Sequence, residues 1–277
     1  MVDDCSDDGS QEILKSYSSD KRLKLFLKNE NSGSYVHSTN FGAHQAKGDF
    51  LLFAQCDDYA EPTQVEALFH GLKTNETADV AFCGSTLIDG GNRILSTDYD
   101  HREESFRKQC SRDTVITGAQ MIRYLSKACV IPNLSAALIR RDLYVQIGGL
   151  STNFKVVADW DFWLKAATIT NFYYVSRCLN SFRQHDNTIR STVKMQTQIL
   201  EVFTMMYRFL AVHQMTKYER LIFKTRISVI WLYYFRQAPR LWLGCFFSVL
   251  IRACSLDIYS PIYFTFAIIK IIISRRY

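Results

Sequence analysis

An uninterrupted apolar run at residues 49–55 (DFLLFAQ) constrains the fold more than any other segment of the 277-residue chain. Strands that are apolar at consecutive positions, rather than at alternate ones, are typical of sheets buried on both faces, above all parallel sheets. A second run of this kind covers residues 79–88 (DVAFCGSTLI). Helical patterns at residues 11–18, 34–46 and 61–73 separate or flank these runs. The alternation predicts an α/β domain whose mostly parallel sheet is flanked by helices.

The alternation continues to about residue 190, where the pattern changes. Further strands are predicted at 133–139 and 171–182, and further helices at 118–127, 140–147 and 158–166. Residues 97–114 carry several charges and few apolar positions, which predicts a mobile loop. From Thr192 onward the chain has long helical patterns. We therefore expect two domains, an α/β domain at 1–190 and a helical C-terminal region at 191–277.

The C-terminal region contains two strongly apolar segments, 241–251 and 258–273. Both fall short of the about 20 apolar residues that a spanning helix needs. One reading is an interfacial helix on a membrane, and the equally weighted alternative is a helix that covers the core of the domain. In the first reading, the residues near the lipid headgroups are Trp242, Tyr259, Tyr263, Arg275 and Arg276.

Charge and cysteine content narrow the class of protein. The net charge of +6 is modest, and no basic stripe with interleaved aromatic residues appears, which argues against nucleic acid as a partner. The eight cysteines show no CxxC or Cys/His ligand spacing. Such a pattern indicates reduced thiols in a cytosolic protein rather than a disulfide framework or a zinc site.

Two adjacent carboxylates, Asp57 and Asp58, follow the first apolar run. The carboxyl ends of strands are where open α/β sheets bind ligands, and a repelling carboxylate pair is easier to explain beside a cation. Hard cations such as Mg²⁺ and Mn²⁺ prefer oxygen ligands. A solvated turn that caps the next helix explains the pair equally well.

The segment ADWDFWLKA at 158–166 has helical apolar spacing, and Asp159 lies in its first turn. In isolation Asp159 is best explained as a helix-capping residue, which the helix dipole favours. His185, in a polar loop after the predicted strand 171–182, is in isolation best explained as an ordinary surface histidine.

Five segments in order resemble the motifs of the family 2 glycosyltransferases, which have the A-type glycosyltransferase (GT-A) fold. The resemblance covers about residues 1–190. The segments are VDDCSDDGS (2–10), NSGSYVHSTNFGAHQAKGDFLLF (31–53), AQCDDY (54–59), IGGL followed by ADWDFWLKA (147–150 and 158–166), and FRQHDNTIRS (182–191).

The resemblance implies an inverting transferase that moves a sugar from a nucleoside-diphosphate donor to a hydroxyl of a glycan or lipid-linked acceptor, as in surface polysaccharide synthesis. It implies that Asp159 is the catalytic base and that Asp58 ligates a divalent metal, Mn²⁺ or Mg²⁺. The residues it places at the donor are Asp3, Asp4, Asp57, Arg183 and His185. The implied location is cytoplasmic, peripheral on the inner face of the cell membrane.

The chain departs from the family pattern at three places. Gln55 stands at the first acidic position of the metal motif, and Ala158 precedes the base in place of a glutamate. The family's first strand and helix have no counterpart here, so we expect an N-terminally truncated domain with impaired donor binding. A catalytically silent scaffold and a nucleotidyltransferase are the alternative functions, although the chain lacks the glycine-rich, lysine-bearing loop of the latter.

Overall fold

The computed structural model describes residues 1–184, 193–237 and 239–274 of the chain. Its strands are β1 (Val2–Asp3), β2 (Phe26–Leu27), β3 (Phe50–Leu52), β4 (Tyr59–Ala60), β5 (Ala78–Ile88), β6 (Ile94–Thr97), β7 (Thr114–Ile116), β8 (Ala137–Arg140) and β9 (Asn171–Arg183). Its helices are α1 (Ser10–Ser16), α2 (Tyr35–Gln45), α3 (Gln64–Thr74), α4 (Asp98–His101), α5 (Glu104–Gln109), α6 (Gly118–Leu125), α7 (Arg141–Ile147), α8 (Ala158–Ala166), α9 (Met195–Val212), α10 (Lys217–Gln237), α11 (Pro239–Leu256) and α12 (Ser260–Ser274). A single 3₁₀ turn, Leu134–Ala136, precedes β8.

The main sheet has the strand order β3-β8-β5-β9-β4, with β6 on β5 and β7 on β9. Its longest pairing, β5 with β9, is parallel, as is the separate pair β1–β2. The pairings of β3, β4, β6, β7 and β8 are antiparallel. The α/β fold class is thus confirmed, and the sheet is mixed around a parallel centre.

The α2 helix is joined to the turn after α7 through Asn40. Its amide group donates to the Leu150 carbonyl at 2.8 Å and accepts from the Leu150 amide at 2.9 Å and the Tyr144 hydroxyl at 2.6 Å. Gly148 and Gly149 have φ values of 86° and 72°, and a Cβ at Gly149 would lie 2.7 Å from the Asn40 side-chain oxygen. Backbone conformation therefore favours glycine at both positions, and the close approach to Asn40 further requires it at Gly149.

One hydrophobic cluster extends from the sheet into the C-terminal helices. It includes Phe82 of β5, Phe162 of α8, Phe203 of α9 and Trp231 of α10. The division at residue 190 stays a prediction, because residues 185–192 lie outside those described.

The prediction of a mobile loop at 97–114 is wrong. The segment contains α4 and α5, and Asp98 and Arg102 form an ion pair in which each residue is only 7% exposed. The Arg102 guanidinium carbon lies 5.0–5.7 Å from the ring centres of Phe82, Phe106 and Tyr174. Burial raises the pKa of Asp98, and the Arg102 charge opposes that shift. The charges that indicated a loop are instead part of the interior.

The prediction of a strand at 133–139 is correct only for its second half. Residues 134–136 form the 3₁₀ turn, and only the following residues join the sheet as β8. This turn presents polar side chains at the carboxyl end of β5, where the candidate site lies.

We expect Arg102→Gln to lower the free energy of unfolding by about 3–5 kcal/mol, since it leaves the Asp98 carboxylate buried without its cation. Lys108→Gln is the matched control, because its ion pair with Glu104 joins side chains that are 72% and 67% exposed. Urea denaturation should show a large shift for the first variant and none for the second. Equal small shifts would contradict the role given to Asp98 and Arg102.

Candidate active site

The carboxylate of Asp58 is the centre of a polar cluster at the strand ends. One carboxylate oxygen accepts from the Asn133 side-chain amide and, at 2.5 Å, from the Ser135 hydroxyl. The other accepts from the backbone N–H of Arg183 at 3.1 Å. Side chains from the 3₁₀ turn and the backbone of β9 thus fix both oxygens.

Asn133 connects this cluster to the interior of the sheet. Its side-chain oxygen accepts from the amide of Asn180 at 3.1 Å, and Asn180 also donates to the Ser85 hydroxyl at 2.9 Å. Asn133, Asn180 and Ser85 are 5%, 1% and 0% exposed. Buried polar networks of this kind hold one arrangement only when their members are hydrogen-bonded to each other. Asp58 therefore has a rigid support that runs into β5 and β9.

The residues at Asp58 fit a divalent cation. Burial raises the pKa of Asp58, and the adjacent Asp57 charge raises it further. A cation would relieve both effects, and Mg²⁺ commonly binds through one or two carboxylates together with substrate phosphates and water. In residues 1–184, 193–237 and 239–274, no group of three or more His, Cys, Asp or Glu side chains could by itself hold a metal. Asp58, with Asp57 beside it, would share the metal with substrate oxygens.

Arg183 lies at the end of β9 and braces the Asp57–Asp58 turn. Its guanidinium donates to the Asp57 carbonyl at 2.9 Å, the Asp89 carbonyl at 2.8 Å and the Asn92 side chain at 2.6 Å. These bonds bring together three predicted site residues, Asp57, Asp58 and Arg183, from two separate segments of the chain. Donor contact by Asp57 and Arg183 stays a prediction. His185, which follows in the chain, lies outside the described residues.

Asp3 and Asp4 lie at the end of β1. Asp3 is hydrogen-bonded to residues that follow it closely in the chain, and Asp4 to residues after β2. Asp3 accepts from the Ser6 backbone at 3.0 Å and from Gln11 at 2.8 Å, and the Ser6 contact lowers its pKa. Burial alone would raise the pKa of Asp4, but Lys28 at 2.9 Å and Ser32 lower it to about 2. Both carboxylates are therefore ionised at neutral pH. Their predicted role in donor binding is not decided by these contacts.

Asp159 lies in the first turn of α8 and is half-buried. It is not the cap of that helix: the N-cap residue is Val157, which has no capping side chain. One Asp159 oxygen accepts from the backbone N–H of Trp160 at 2.8 Å, and the Trp160 indole donates to the Leu125 carbonyl at 2.9 Å. The aromatic residues thus anchor the helix on α6. The predicted role of Asp159 as a base remains a prediction.

Three residues that contribute to this region were not predicted from the sequence. Asn133 and Ser135 were included in a strand, and Glu201 lies within an amphipathic helical pattern. Glu201 of α9 accepts hydrogen bonds from the backbone of residues 155–157, immediately before α8. A polar residue on each side of an apolar one, as in Asn133-Leu134-Ser135, was the only sequence signal for the first two.

The comparisons of this chain with known proteins agree on one family. A family model described as "Glycosyltransferase like family 2" matches residues 1–218. An uncharacterized glycosyltransferase of Haemophilus influenzae is 26% identical over 201 residues, which cover 71% of this chain and 61% of that protein. The putative teichuronic acid biosynthesis glycosyltransferase TuaG of Bacillus subtilis is 25% identical over 195 residues, 69% of each chain. The chain thus spans about three fifths of the first relative's length.

Two solved structures share the fold. Staphylococcus aureus TarS (residues 1–349) in complex with UDP-GlcNAc superposes with a TM-score of 0.64 at 15% identity, covering 95% of this chain and 78% of that one. The mannosyltransferase PcManGT of Pyrobaculum calidifontis, in complex with GDP-Man and Mn²⁺, gives a TM-score of 0.52 at 14% identity, covering 97% and 76%. At such identities the likeness establishes the fold alone.

We expect Asn133→Ala to lower the free energy of unfolding by about 1–3 kcal/mol, because it removes one buried hydrogen bond from Asp58 and one from Asn180. Asn153→Ala, at an exposed asparagine, is the control. Chemical denaturation of both variants is the measurement. If the two variants unfold at the same denaturant concentration, the network around Asn133 does not support the site.

Proposed function

The chain belongs to the glycosyltransferase-like family 2, and from that premise we propose that it transfers a sugar from a nucleoside diphosphate to an acceptor hydroxyl with inversion. The observation that carries the proposal is Asp58, held at the carboxyl end of the sheet by Asn133 and Ser135. Ligands of open α/β sheets bind at this edge. A glycosyltransferase family favours sugar transfer over the nucleotidyltransferase alternative.

The donor diphosphate lies at Asp58, with Asp57 facing the ribose or the sugar. A divalent metal at Asp58, Mn²⁺ or Mg²⁺, supplies positive charge for the diphosphate oxygens. The Mn²⁺ complex of the mannosyltransferase with the same fold supports a metal here. Arg183 keeps the Asp57 carbonyl and the Asp89 turn in place. The predicted donor contact of His185 falls on a residue outside those that the structure describes.

Asp3 and Asp4 serve the nucleoside end of the donor. Asp4 accepts hydrogen bonds from Lys28 and Ser32, which orient the β1 loop. A ribose hydroxyl or base N–H would add to, or exchange with, the Ser32 hydroxyl as a donor to this carboxylate. Structures of the same fold with UDP-GlcNAc and GDP-Man support a nucleotide-sugar ligand.

Asp159 acts as the general base. Its carboxylate takes the proton of the acceptor hydroxyl as the acceptor oxygen bonds to the anomeric carbon. The bond between that carbon and the phosphate oxygen breaks on the opposite face, and its electron pair leaves with the nucleoside diphosphate. Attack and departure on opposite faces invert the configuration. The acceptor is a glycan or lipid-linked chain of a surface polysaccharide, for which the relative TuaG, a putative teichuronic acid glycosyltransferase, provides support.

The protein works at the inner face of the cell membrane, attached by α11 and α12. Leu243, Phe247 and Ile251 are 62%, 74% and 70% exposed, on the side of α11 opposite the buried Cys245 and Val249. An apolar stripe at helical spacing that is open to solvent is typical of an interfacial helix.

The α12 helix has a similar open stripe, formed by Ile262, Phe266 and Ile269, which are at least 46% exposed, and Ile258 in the preceding turn is 76% exposed. Of the helices in the described part of the chain, none is by itself long and apolar enough to cross a bilayer. Two consecutive helical segments, Leu243–Leu256 and Ser260–Ile269, are together long and apolar enough, but the chain bends by 118° between them.

Charge favours an anionic bilayer as the occupant of this surface. The sequence from 239 to 274 carries Arg240, Arg252 and Lys270 against a single acid, Asp257. Asp257 is in turn neutralised by an ion pair with Lys224 of α10. Arg240 is exposed on α11, whereas Arg252 lines a groove with Glu201 and Arg208 on the other side of that helix. An exposed basic group beside an apolar stripe attracts acidic headgroups. Tyr259 is exposed in the turn before α12, whereas Tyr263 packs under Lys224, and Arg275 and Arg276 lie outside the described residues.

We expect Asp159→Asn to lower kcat by about 10²–10⁴-fold while donor binding is retained, because the acceptor loses its base. Release of UDP from UDP-GlcNAc, or GDP from GDP-mannose, measures turnover, and calorimetry measures binding. Asp142→Asn, at a side chain that is 95% exposed, is the control. Unchanged turnover in Asp159→Asn would refute the base, and a wild-type chain without turnover would favour a silent scaffold.

For the membrane surface, we expect Phe247→Gln combined with Ile262→Gln to reduce co-sedimentation with phosphatidylglycerol-containing vesicles by about tenfold or more, since two large apolar side chains no longer enter the bilayer. Val145→Gln, at an exposed valine on α7, is the control. Neutral phosphatidylcholine vesicles should bind the wild type more weakly. Unchanged sedimentation, or a change only in oligomeric mass, would show that the surface serves another partner.

A further inference from the structure

A residue from the C-terminal region holds the loop that leads into the helix of Asp159. The Glu201 carboxylate of α9 accepts from the backbone N–H groups of Lys155 at 2.9 Å, Val156 at 2.8 Å and Val157 at 3.3 Å. These three residues immediately precede the first helical residue, Ala158, and Val157 is the N-cap residue. A glutamate that is distant in sequence therefore fixes the backbone at the entry to α8.

Two effects strengthen the contact between the Glu201 carboxylate and the loop before α8. Hydrogen bonds from backbone N–H groups to an ionised carboxylate are about twice as strong as neutral ones. A negative charge at a helix N-terminus is further stabilised by the helix dipole. The α9 helix is itself fixed, because Val202, Phe203 and Met206 are at most 2% exposed in the main hydrophobic cluster. Glu201 thus connects a rigid helix to the start of α8.

A second contact between the same helix and the same loop supports this connection. The Arg208 guanidinium carbon lies 5.7 Å from the ring centre of Phe154, which is 3% exposed. Arg208 and Glu201 are separated by two helical turns, so α9 holds the 154–157 loop at two points. Asp159 follows Val157 by two residues, in the first turn of α8. Movement of this loop would displace the Asp159 carboxylate.

From these contacts we infer that Glu201 is a positioning residue for Asp159, through which the C-terminal helices set the reactivity of the site. The inference rests on the proposed function, in which Asp159 takes the acceptor proton. Glu201 touches neither donor nor acceptor in this account. Its effect is to fix the first turn of α8, and hence the distance and direction of the base relative to the acceptor oxygen. Displacements of about 1 Å at such a group can cost 10²-fold in rate.

The test compares Glu201→Gln with Glu219→Gln. Glu219 of α10 also accepts from a backbone N–H at the start of a helix, but its partner is Thr216 at the start of α10 itself. We expect Glu201→Gln to lower kcat by about 10–100-fold with the donor KM unchanged within about twofold. Glu219→Gln should leave both constants unchanged. Turnover is again the release of UDP from UDP-GlcNAc or GDP from GDP-mannose.

Glu201→Asp keeps the negative charge, and it is the second test variant in case Glu201→Gln does not fold. Its carboxylate is one methylene shorter and cannot reach all three N–H groups, so a smaller loss of kcat, again without a change in donor KM, is expected. Hydrogen exchange at residues 155–157 should accelerate in both variants. Wild-type kcat in both, or a fall in kcat accompanied by a rise in donor KM, would overturn the inference.

Asp159→Asn is measured in parallel so that the two ideas can fail separately. If Asp159→Asn retains turnover, the base assignment fails. If Asp159→Asn is inactive and Glu201→Gln has wild-type kcat, only the positioning role of Glu201 fails.

Discussion

The hydrogen bonds that hold the Asp58 carboxylate are the interaction on which the candidate site depends. A carboxylate in a partly buried position is costly unless donors surround it, and the cost appears as a raised pKa of Asp58. Asn133, Ser135 and the Arg183 backbone supply the donors. These groups come from the turn before β8 and from β9, so the carboxylate has its place only when the central sheet is assembled.

The rest of the site is built around that point from distant parts of the chain. Arg183 connects the Asp57 turn to the loop after β5, and Asp4 connects the β1 loop to Lys28 and Ser32. On the other side, α9 reaches the start of α8 through Glu201. The C-terminal helices are therefore in contact with the segment that carries Asp159, in addition to presenting an open apolar surface.

Much of the fold was predictable because its signals are local. The run at 79–88 forms β5, three residues of the run at 49–55 form β3 (Phe50–Leu52), and the glycine pair at 148–149 ends α7. Asp58 at a strand end followed from the same pattern. Local patterns could not show that Arg102 lies among three aromatic rings, because those rings come from β5, α5 and β9, and a charged segment with such partners has the composition of a loop. Asn133 and Glu201 were missed for the same reason, since their partners lie 75 and 44–46 positions away. Asp159 was first interpreted as a cap because an aspartate in the first turn of a helix is typical of that role, and a single sequence does not show the contact of Glu201 with the loop before α8.

The central claim is that Asp58 is the metal-dependent point of attachment for a nucleotide-sugar donor. Its most direct test is calorimetric titration of UDP-GlcNAc and of GDP-mannose, with Mn²⁺ and with EDTA, into the wild type, Asp58→Asn and the surface control Asp142→Asn. The account predicts saturable binding of at least one donor to the wild type and to Asp142→Asn with Mn²⁺, and loss of that binding in Asp58→Asn or with EDTA. Binding of equal strength in Asp58→Asn and in the presence of EDTA would contradict it.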